Sequence, residues 1–331
     1  MSWQIKLLNM TSRIFVKPFA KWATRQSKPG QEQLTIDKLR RRMCRFDHFI
    51  MRKHRSTIPV DAVDDFDGVD GEASYLWINN SPDVTRTILY LHGGGMIIHM
   101  PGLYQKWAQR FGPAVNARVL LVDYRLVPEH PYPAPNDDCF AAYEWLVKEQ
   151  GVNPDHIIIA GDSAGGYLTL ATLLRIGQSE LANPACAIVL SPLTDFSFGS
   201  PSLFANEGKD PLLSNQSMPG VRNMIFGDHL CTDPMVSPIY ADLSGFPPLQ
   251  VHVSSNEILR DDGVRIVERM KRQGGTSELC EWYNTIHVHP IMNGLPESEL
   301  ALQKMQAFIE RHCENGSAGD LSGATGAPAQ D

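Results

Sequence analysis

The sequence lacks long uninterrupted hydrophobic runs, and it lacks the cysteine spacings of metal-binding or disulfide-rich proteins. Its six cysteines are scattered through 331 residues without a C-x-x-C pair, which argues against a zinc site and a disulfide framework. We therefore predict free thiols, no metal and a cytoplasmic location. Basic residues interrupt the apolar positions near the start at 6, 13, 17 and 21, so we expect neither a signal peptide nor an integral membrane segment.

An excess of positive charge is also missing. Lysine and arginine number 30 against 37 acidic residues, for a net charge of −7. This balance argues against a nucleic-acid-binding surface. The basic cluster around Arg40, Arg41, Arg42 and Arg45 lies within a helical pattern, so we interpret it as a solvated helix face.

One glycine-flanked serine stands out. Residues 161–165 read Gly-Asp-Ser-Ala-Gly between an apolar run at 156–160 and a helical pattern at 166–175. A G-x-S-x-G pattern between a strand and a helix is typical of a nucleophile elbow, which exposes the serine hydroxyl at the end of the sheet. Small residues on both sides leave room for the sharp turn. Ser163 is therefore the predicted nucleophile.

A serine nucleophile needs a general base. In proteins with a nucleophile elbow, the base comes after the serine in the sequence. His287 comes just after the predicted strand 278–283, where a loop at a strand end can reach the elbow. His289, two residues on, and His312, inside the last helical pattern, are the alternatives. We favour His287.

The acid that orients this base should lie at the end of the preceding predicted strand, 249–253. Glu257, Asp261 and Asp262 follow it. Glu257 is nearest the strand end, whereas the two aspartates resemble the cap and first turn of the next helix. We favour Glu257 over Asp261.

Backbone donors for a developing oxyanion are also predicted. His92 and three glycines follow the predicted strand 86–91, a pattern found in the oxyanion loops of esterases. We expect the amides of Gly93, Gly94 and Ala164 to donate to the substrate oxygen. His92 precedes the nucleophile, so we assign it a supporting hydrogen bond in the loop.

Eight strand-like runs alternate with helical patterns over the remaining chain. The later runs are almost continuously apolar, as in parallel sheets covered on both faces. This alternation predicts a doubly wound α/β sheet. The predicted strands are 57–63, 73–78, 86–91, 118–123, 156–160, 186–190, 249–253 and 278–283.

The predicted organisation has three parts. N-terminal cap helices occupy 1–50, a catalytic domain occupies 51–314, and a disordered tail occupies 315–331. The segment 196–248 interrupts the strand–helix alternation and is rich in proline, glycine, serine and asparagine. We interpret it as an insertion that contributes to the cap.

These motifs, with the stretch Asp-Tyr-Arg-Leu-Val-Pro-Glu-His-Pro at 123–131, resemble the hormone-sensitive lipase family of α/β-hydrolases, in its bacterial carboxylesterase branch. The resemblance covers roughly residues 85–310. It implies a mostly parallel eight-stranded sheet with a helical cap, hydrolysis of short-to-medium acyl esters without a cofactor, and a possible homodimer. It also implies supporting roles for Asp162 and Glu129. The chain departs from the family in having Glu257 where aspartate is usual.

The combined hypothesis is a serine carboxylesterase acting on a small-molecule ester through an acyl-enzyme intermediate. A lactonase or a specialised deacetylase would use the same residues. A non-catalytic ligand-binding protein on this scaffold is the alternative from another class, but such proteins tend to lose the histidine or an oxyanion glycine, and this chain keeps both.

Overall fold

The computed structural model describes most of the chain, but the predicted tail at 315–331 and much of the first thirty residues lie outside it. Across the described ranges, no helix is both long enough and apolar enough to cross a membrane. All six cysteines are free thiols. The described residues are 2–12, 32–52, 56–64, 66, 68–71, 73–81 and 83–313.

A single sheet of eight strands has the order β1-β2-β4-β3-β5-β6-β7-β8. β2 pairs antiparallel with both β1 and β4, and all later pairings are parallel. All eight predicted strands are present, which confirms the α/β class and the α/β-hydrolase architecture. Their bounds are β1 Val60–Ala62, β2 Ser74–Ile78, β3 Arg86–Leu91, β4 Ala117–Asp123, β5 Ile157–Asp162, β6 Cys186–Leu190, β7 Leu249–Ser254 and β8 Ser277–Trp282.

Helices cover both faces of this sheet. Alternate residues of β3 belong to two separate apolar clusters, with Leu89 and Leu91 on one face and Ile88 and Tyr90 on the other. Successive side chains of a strand point to opposite faces of the sheet. Both faces are apolar here because helices cover both of them. The helices are α1 Trp3–Thr11, α2 Glu32–Arg52, α3 Pro101–Ala114, α4 Ala134–Lys148, α5 Ala164–Gly177, α6 Ser202–Ala205, α7 Met218–Phe226, α8 Arg260–Arg272 and α9 Pro296–His312.

The segment 196–248 connects β6 to β7 and contains the short helices α6 and α7. Its backbone docks on the sheet's own helices and loops. The Tyr167 hydroxyl of α5 donates to the Met235 carbonyl at 2.7 Å, and the Tyr132 amide donates to the Ile225 carbonyl at 2.9 Å. The insertion is therefore fixed to the carboxyl ends of the central strands.

Arg40 attaches helix α2 to the loop at residues 92–99, which follows β3 and which we call the glycine loop. The prediction that Arg40 lies on a solvated helix face is therefore wrong. The Arg40 guanidinium donates to the Ile97 and Val127 carbonyls, each at 2.8 Å, and pairs with Glu129 at 2.7 Å. Arg41 is exposed as predicted. The helical pattern could not reveal the Arg40 contacts because all of its partners lie more than fifty residues away.

Candidate active site

Ser163 occupies the sharp turn between β5 and α5. Its backbone has φ 54° and ψ −116°, a positive φ that a residue with a Cβ rarely adopts. A Cβ at Gly161 would collide with the Gly165 carbonyl, and one at Gly165 would collide with the Leu91 carbonyl. The glycines therefore allow the close approach of strand and helix that holds Ser163 in this conformation.

His287 and Glu257 form a buried pair beyond the ends of β8 and β7. Nδ1 of His287 lies 2.6 Å from Oε2 of Glu257, whose side chain is completely buried. The other carboxylate oxygen accepts the amide of Ser254 at 2.7 Å. This arrangement favours the tautomer with the proton on Nδ1, which leaves the lone pair of Nε2 available to accept a proton.

The elbow and the histidine loop are both anchored at the end of β6. The Ser163 amide donates to the Leu190 carbonyl at 2.8 Å, and the Val288 amide donates to the Ser191 hydroxyl at 3.1 Å. Adjacent residues of one strand end thus position the serine and the residue after His287. No described protein group forms a hydrogen bond with the Ser163 hydroxyl, so that hydroxyl is available to a ligand.

The environment of His287 increases its proton affinity. Burial lowers its pKa, but the hydrogen bond that His287 donates to Glu257 and the negative charges of Glu257, Asp210 and Asp162 outweigh burial, so the pKa lies above its ordinary value. A base with a raised pKa accepts a proton more readily and stabilises its protonated form. This is the electrostatic setting that a general base needs.

The other candidate histidines lie elsewhere. His289 is buried with its ring 5.1 Å from that of Trp282, and burial lowers its pKa to about 3. His312 sits near the end of α9 with its ring 4.7 Å from that of Phe308. Of the three predicted alternatives, the structure brings only His287 to Glu257.

The other two candidate acids, Asp261 and Asp262, also have partners other than His287. Asp261 accepts the Ser202 amide at 2.8 Å and pairs with Arg260 at 2.7 Å. Asp262 accepts the Thr194 amide at 2.7 Å. At the start of α8, Asp261 thus anchors the insertion and Asp262 anchors the loop after β6, so neither is directed at the histidine.

The predicted role of Gly93 requires correction. Its amide donates to Oδ1 of Asp162 at 3.0 Å and lies 3.0 Å from the Tyr104 hydroxyl. An amide committed to a buried carboxylate does not point at a substrate oxygen, so Gly93 is wrong as an oxyanion donor. Nothing in the local motif could show this, because Asp162 lies on another strand.

The next amides remain available. Among the described residues, no protein group accepts a hydrogen bond from the backbone amides of Gly94, Gly95 or Ala164. Gly94 has φ +108°, and a Cβ there would collide with the Ile98 carbonyl. The loop therefore requires glycine at 94 and presents two consecutive free amides near the start of α5.

Asp162 holds the glycine loop to the elbow. Its carboxylate accepts the Tyr90 hydroxyl at 3.0 Å and the Tyr104 hydroxyl at 3.1 Å, in addition to the Gly93 amide. Burial raises its pKa to about 6 although these donors and the charge of His287 lower it. These contacts are consistent with the supporting role that the resemblance implies for Asp162.

His92 follows β3 and contacts its own loop. Nδ1 lies 2.6 Å from the Gly93 carbonyl, and the His92 carbonyl accepts the Tyr124 hydroxyl at 2.7 Å. Burial is the main reason its pKa falls to about 3. His92 does not contact Glu257, in keeping with a supporting role.

Sequence reasoning missed Asp210, a completely buried carboxylate in the insertion. It accepts the amide of Ile258, the residue after Glu257, at 2.8 Å, and the amides of Leu212 and Leu213 at 2.8 and 2.9 Å. Its charge raises the pKa of His287. No spacing or periodicity marks Asp210, because its role depends on how the insertion folds back.

Comparisons with known proteins identify the fold and the family. A family described as alpha/beta hydrolase fold matches residues 88–291. An acetyl-hydrolase of Streptomyces hygroscopicus is 32% identical over 72% of this chain and 80% of its own length. An esterase of Acinetobacter venetianus is 37% identical over 62% of this chain and 66% of its own length. The crystal structure of an esterase from the bacterial hormone-sensitive lipase family superposes with a TM-score of 0.78 at 30% identity, covering 92% of this chain and 99% of that one.

Proposed function

Because this chain belongs to the bacterial hormone-sensitive lipase family of α/β-hydrolases, we propose that it is a serine carboxylesterase acting on short-to-medium acyl esters. The observation that carries the proposal is the 2.6 Å contact of His287 with the buried Glu257, anchored at the same strand end as Ser163. Serine, imidazole and carboxylate are the groups that acyl transfer by a serine requires.

Acylation begins when the Ser163 hydroxyl oxygen attacks the ester carbonyl carbon and Nε2 of His287 takes the hydroxyl proton. Glu257 stays ionised and stabilises the imidazolium through Nδ1. The raised pKa of His287 supports this step, since it reflects stabilisation of the protonated ring by Glu257, Asp210 and Asp162 that together exceeds the effect of burial.

The amides of Gly94, Gly95 and Ala164 are the proposed donors to the tetrahedral oxyanion. Each well-placed donor contributes on the order of 3 kcal/mol to lowering the barrier. The intermediate collapses when the carbon–oxygen bond to the alcohol breaks and His287 returns the proton to the departing alkoxide. The acyl group is then esterified to Ser163.

Deacylation repeats the steps with water. His287 takes a proton from the attacking water, the carbon–oxygen bond to Ser163 breaks, and the proton passes to the serine oxygen. The carboxylic acid leaves and the enzyme is restored. Ester, water and the named residues supply every atom and proton of this scheme.

The decisive experiment compares Ser163→Ala with Ser179→Ala, a change to an exposed serine after α5. Wild type and Ser179→Ala should release p-nitrophenol from p-nitrophenyl butyrate and react with a fluorophosphonate probe. Ser163→Ala should do neither while unfolding at a similar temperature. Turnover or labelling retained by Ser163→Ala would reject the mechanism.

A substrate panel would define the reaction further. The same residues can open a lactone or remove an acetyl group, so p-nitrophenyl esters of increasing chain length should be compared with γ-lactones and acetylated sugars. A protein that only binds ligands would not label with fluorophosphonate. The cytoplasmic location and the homodimer stay predictions, and size-exclusion chromatography with light scattering tests the homodimer.

A further inference from the structure

A second group of side chains lies at the base of the glycine loop, away from the proposed nucleophile and base. His92, His99 and Asp123 each point one potential ligand atom at the same space, and these atoms lie within 4.8 Å of one another. Nδ1 of His99 is 3.0 Å and Nε2 of His92 is 3.9 Å from Oδ1 of Asp123. The mechanism proposed above uses none of these three atoms.

The nitrogen of His92 that points into this space has no partner. Its ring is almost completely buried, and Nε2 has no hydrogen bond although Nδ1 contacts the Gly93 carbonyl at 2.6 Å. A buried polar atom without a partner is costly and uncommon. A histidine that donates one ring proton to a backbone carbonyl and leaves the other nitrogen bare is oriented as metal-bound histidines are.

The surroundings keep the ring in this position. The His92 ring stacks on Tyr124 at 4.2 Å and on His99 at 4.8 Å between centroids. The three side chains border a cavity of about 10 Å³, which is room for about one water molecule or one ion. His99 and Asp123 are partly exposed, with 24% and 34% of their side chains accessible, so an ion can enter from solvent.

We propose that His92, His99 and Asp123 form a binding site for a divalent cation of the zinc class. Zn²⁺ bonds of about 2.1 Å in a tetrahedral site place ligand atoms roughly 3.3 Å apart. The three atoms now lie within 4.8 Å of one another, so the partly exposed His99 ring must turn out of its stack on His92 to bring them to that spacing. Two imidazoles and a carboxylate suit Zn²⁺ better than Mg²⁺ or Ca²⁺. The ion displaces the proton between His99 and Asp123 into solvent, and a water molecule on the solvent-exposed side of these two residues takes the fourth position. The two ends of the 92–99 loop become connected.

Titration of the full chain with Co²⁺, after chelator treatment and in the presence of a phosphine reductant, tests this site. Wild type should bind one equivalent with the weak visible bands of nitrogen and oxygen ligation, and Zn²⁺ should displace it. His99→Ala should weaken binding by at least about 100-fold, since even loss of an outer contact weakens metal affinity 10- to 100-fold. His229→Ala, which removes an exposed histidine, should bind like wild type.

His99→Cys distinguishes ligation from an indirect effect. It should recover Co²⁺ binding and add the strong ultraviolet charge-transfer band of a thiolate ligand, which wild type lacks. Esterase turnover of His99→Ala without metal checks that the variant is folded. Equal Co²⁺ affinity of wild type and His99→Ala, no binding by wild type at millimolar Co²⁺, or a thiolate band in wild type would each overturn the proposal.

Discussion

Two loops at the same edge of the sheet each hold a buried histidine, and they treat it in opposite ways. After β8, His287 contacts the carboxylate of Glu257, and the pKa of His287 is raised despite burial. After β3, His92 is packed among aromatic rings with a carbonyl as its ring partner, and its pKa falls to about 3. Both rings are buried, so the difference comes from the carboxylate: Glu257 contacts the His287 ring at 2.6 Å, whereas Asp123 lies 3.9 Å from the His92 ring and does not outweigh burial.

The largest effect should come from replacing the two histidines in turn. We expect His287→Gln to lower kcat/KM for p-nitrophenyl butyrate by about 10⁴-fold or more, because losing the base disables the serine. His92→Gln should cost less than about 100-fold, since it acts only through the conformation of the glycine loop. Steady-state kinetics on variants of matched purity make the comparison. Equal losses of kcat/KM in the two variants would contradict the assignment of His287 as the base and of His92 as a supporting residue.

Replacing each candidate acid by its amide tests whether Glu257 is what makes His287 differ from His92. Glu257→Gln should lower kcat by about 10³- to 10⁴-fold, because the neutral amide no longer stabilises the imidazolium. Asp261→Asn, four residues away, should change kcat by less than about threefold, since its partners are Ser202 and Arg260. A larger loss for Asp261→Asn would contradict the assignment.

The pH dependence of kcat/KM tests whether the raised pKa of His287 governs activity. Activity requires neutral His287, so it should fall as pH decreases through a pKa above the ordinary 6.5. In Glu257→Gln the raising contribution is lost and burial remains, so the midpoint of the residual activity should move to lower pH. Asp210→Asn should shift the midpoint in the same direction by a smaller amount. A midpoint unchanged in Glu257→Gln would argue against His287 as the titrating base.

The smallest effect concerns the bracing of the loop after β3. Tyr104→Phe removes a hydroxyl that donates to Asp162, and we expect it to lower kcat up to about tenfold and the free energy of unfolding by about 1–3 kcal/mol. The control Tyr143→Phe removes a hydroxyl that donates to the Ala182 carbonyl, remote from the glycine loop. It should reduce stability similarly in urea unfolding and leave kcat unchanged. Equal kcat losses would mean that the bracing is not specific to this loop.

Local patterns were enough to predict a large part of the molecule. All eight strands were predicted, because apolar runs and alternation reflect which faces are buried. The strained turn at Ser163 was predicted for a similar reason, since a turn this sharp needs glycine at Gly161 and Gly165. The placement of His287 followed from its position just after a strand.

The errors and omissions share a cause. Gly93 was assigned an amide free for substrate, and its amide belongs to Asp162. Asp210 was not noticed, and it holds the residue after Glu257 from within the insertion. In each case the hydrogen-bond partner is distant in the sequence. No local pattern can therefore show where that N–H group or carboxylate points.

By itself the sequence determined the parallel sheet, the strained serine turn and a glycine-rich loop beside it, because backbone geometry and burial periodicity are local properties. Only the tertiary structure showed that Glu257, and not Asp261, contacts His287, that the Gly93 amide donates to Asp162, and that His289 lies against Trp282 instead of Glu257. Those contacts depend on angles and distances of a few ångströms between segments that meet only after the chain has folded.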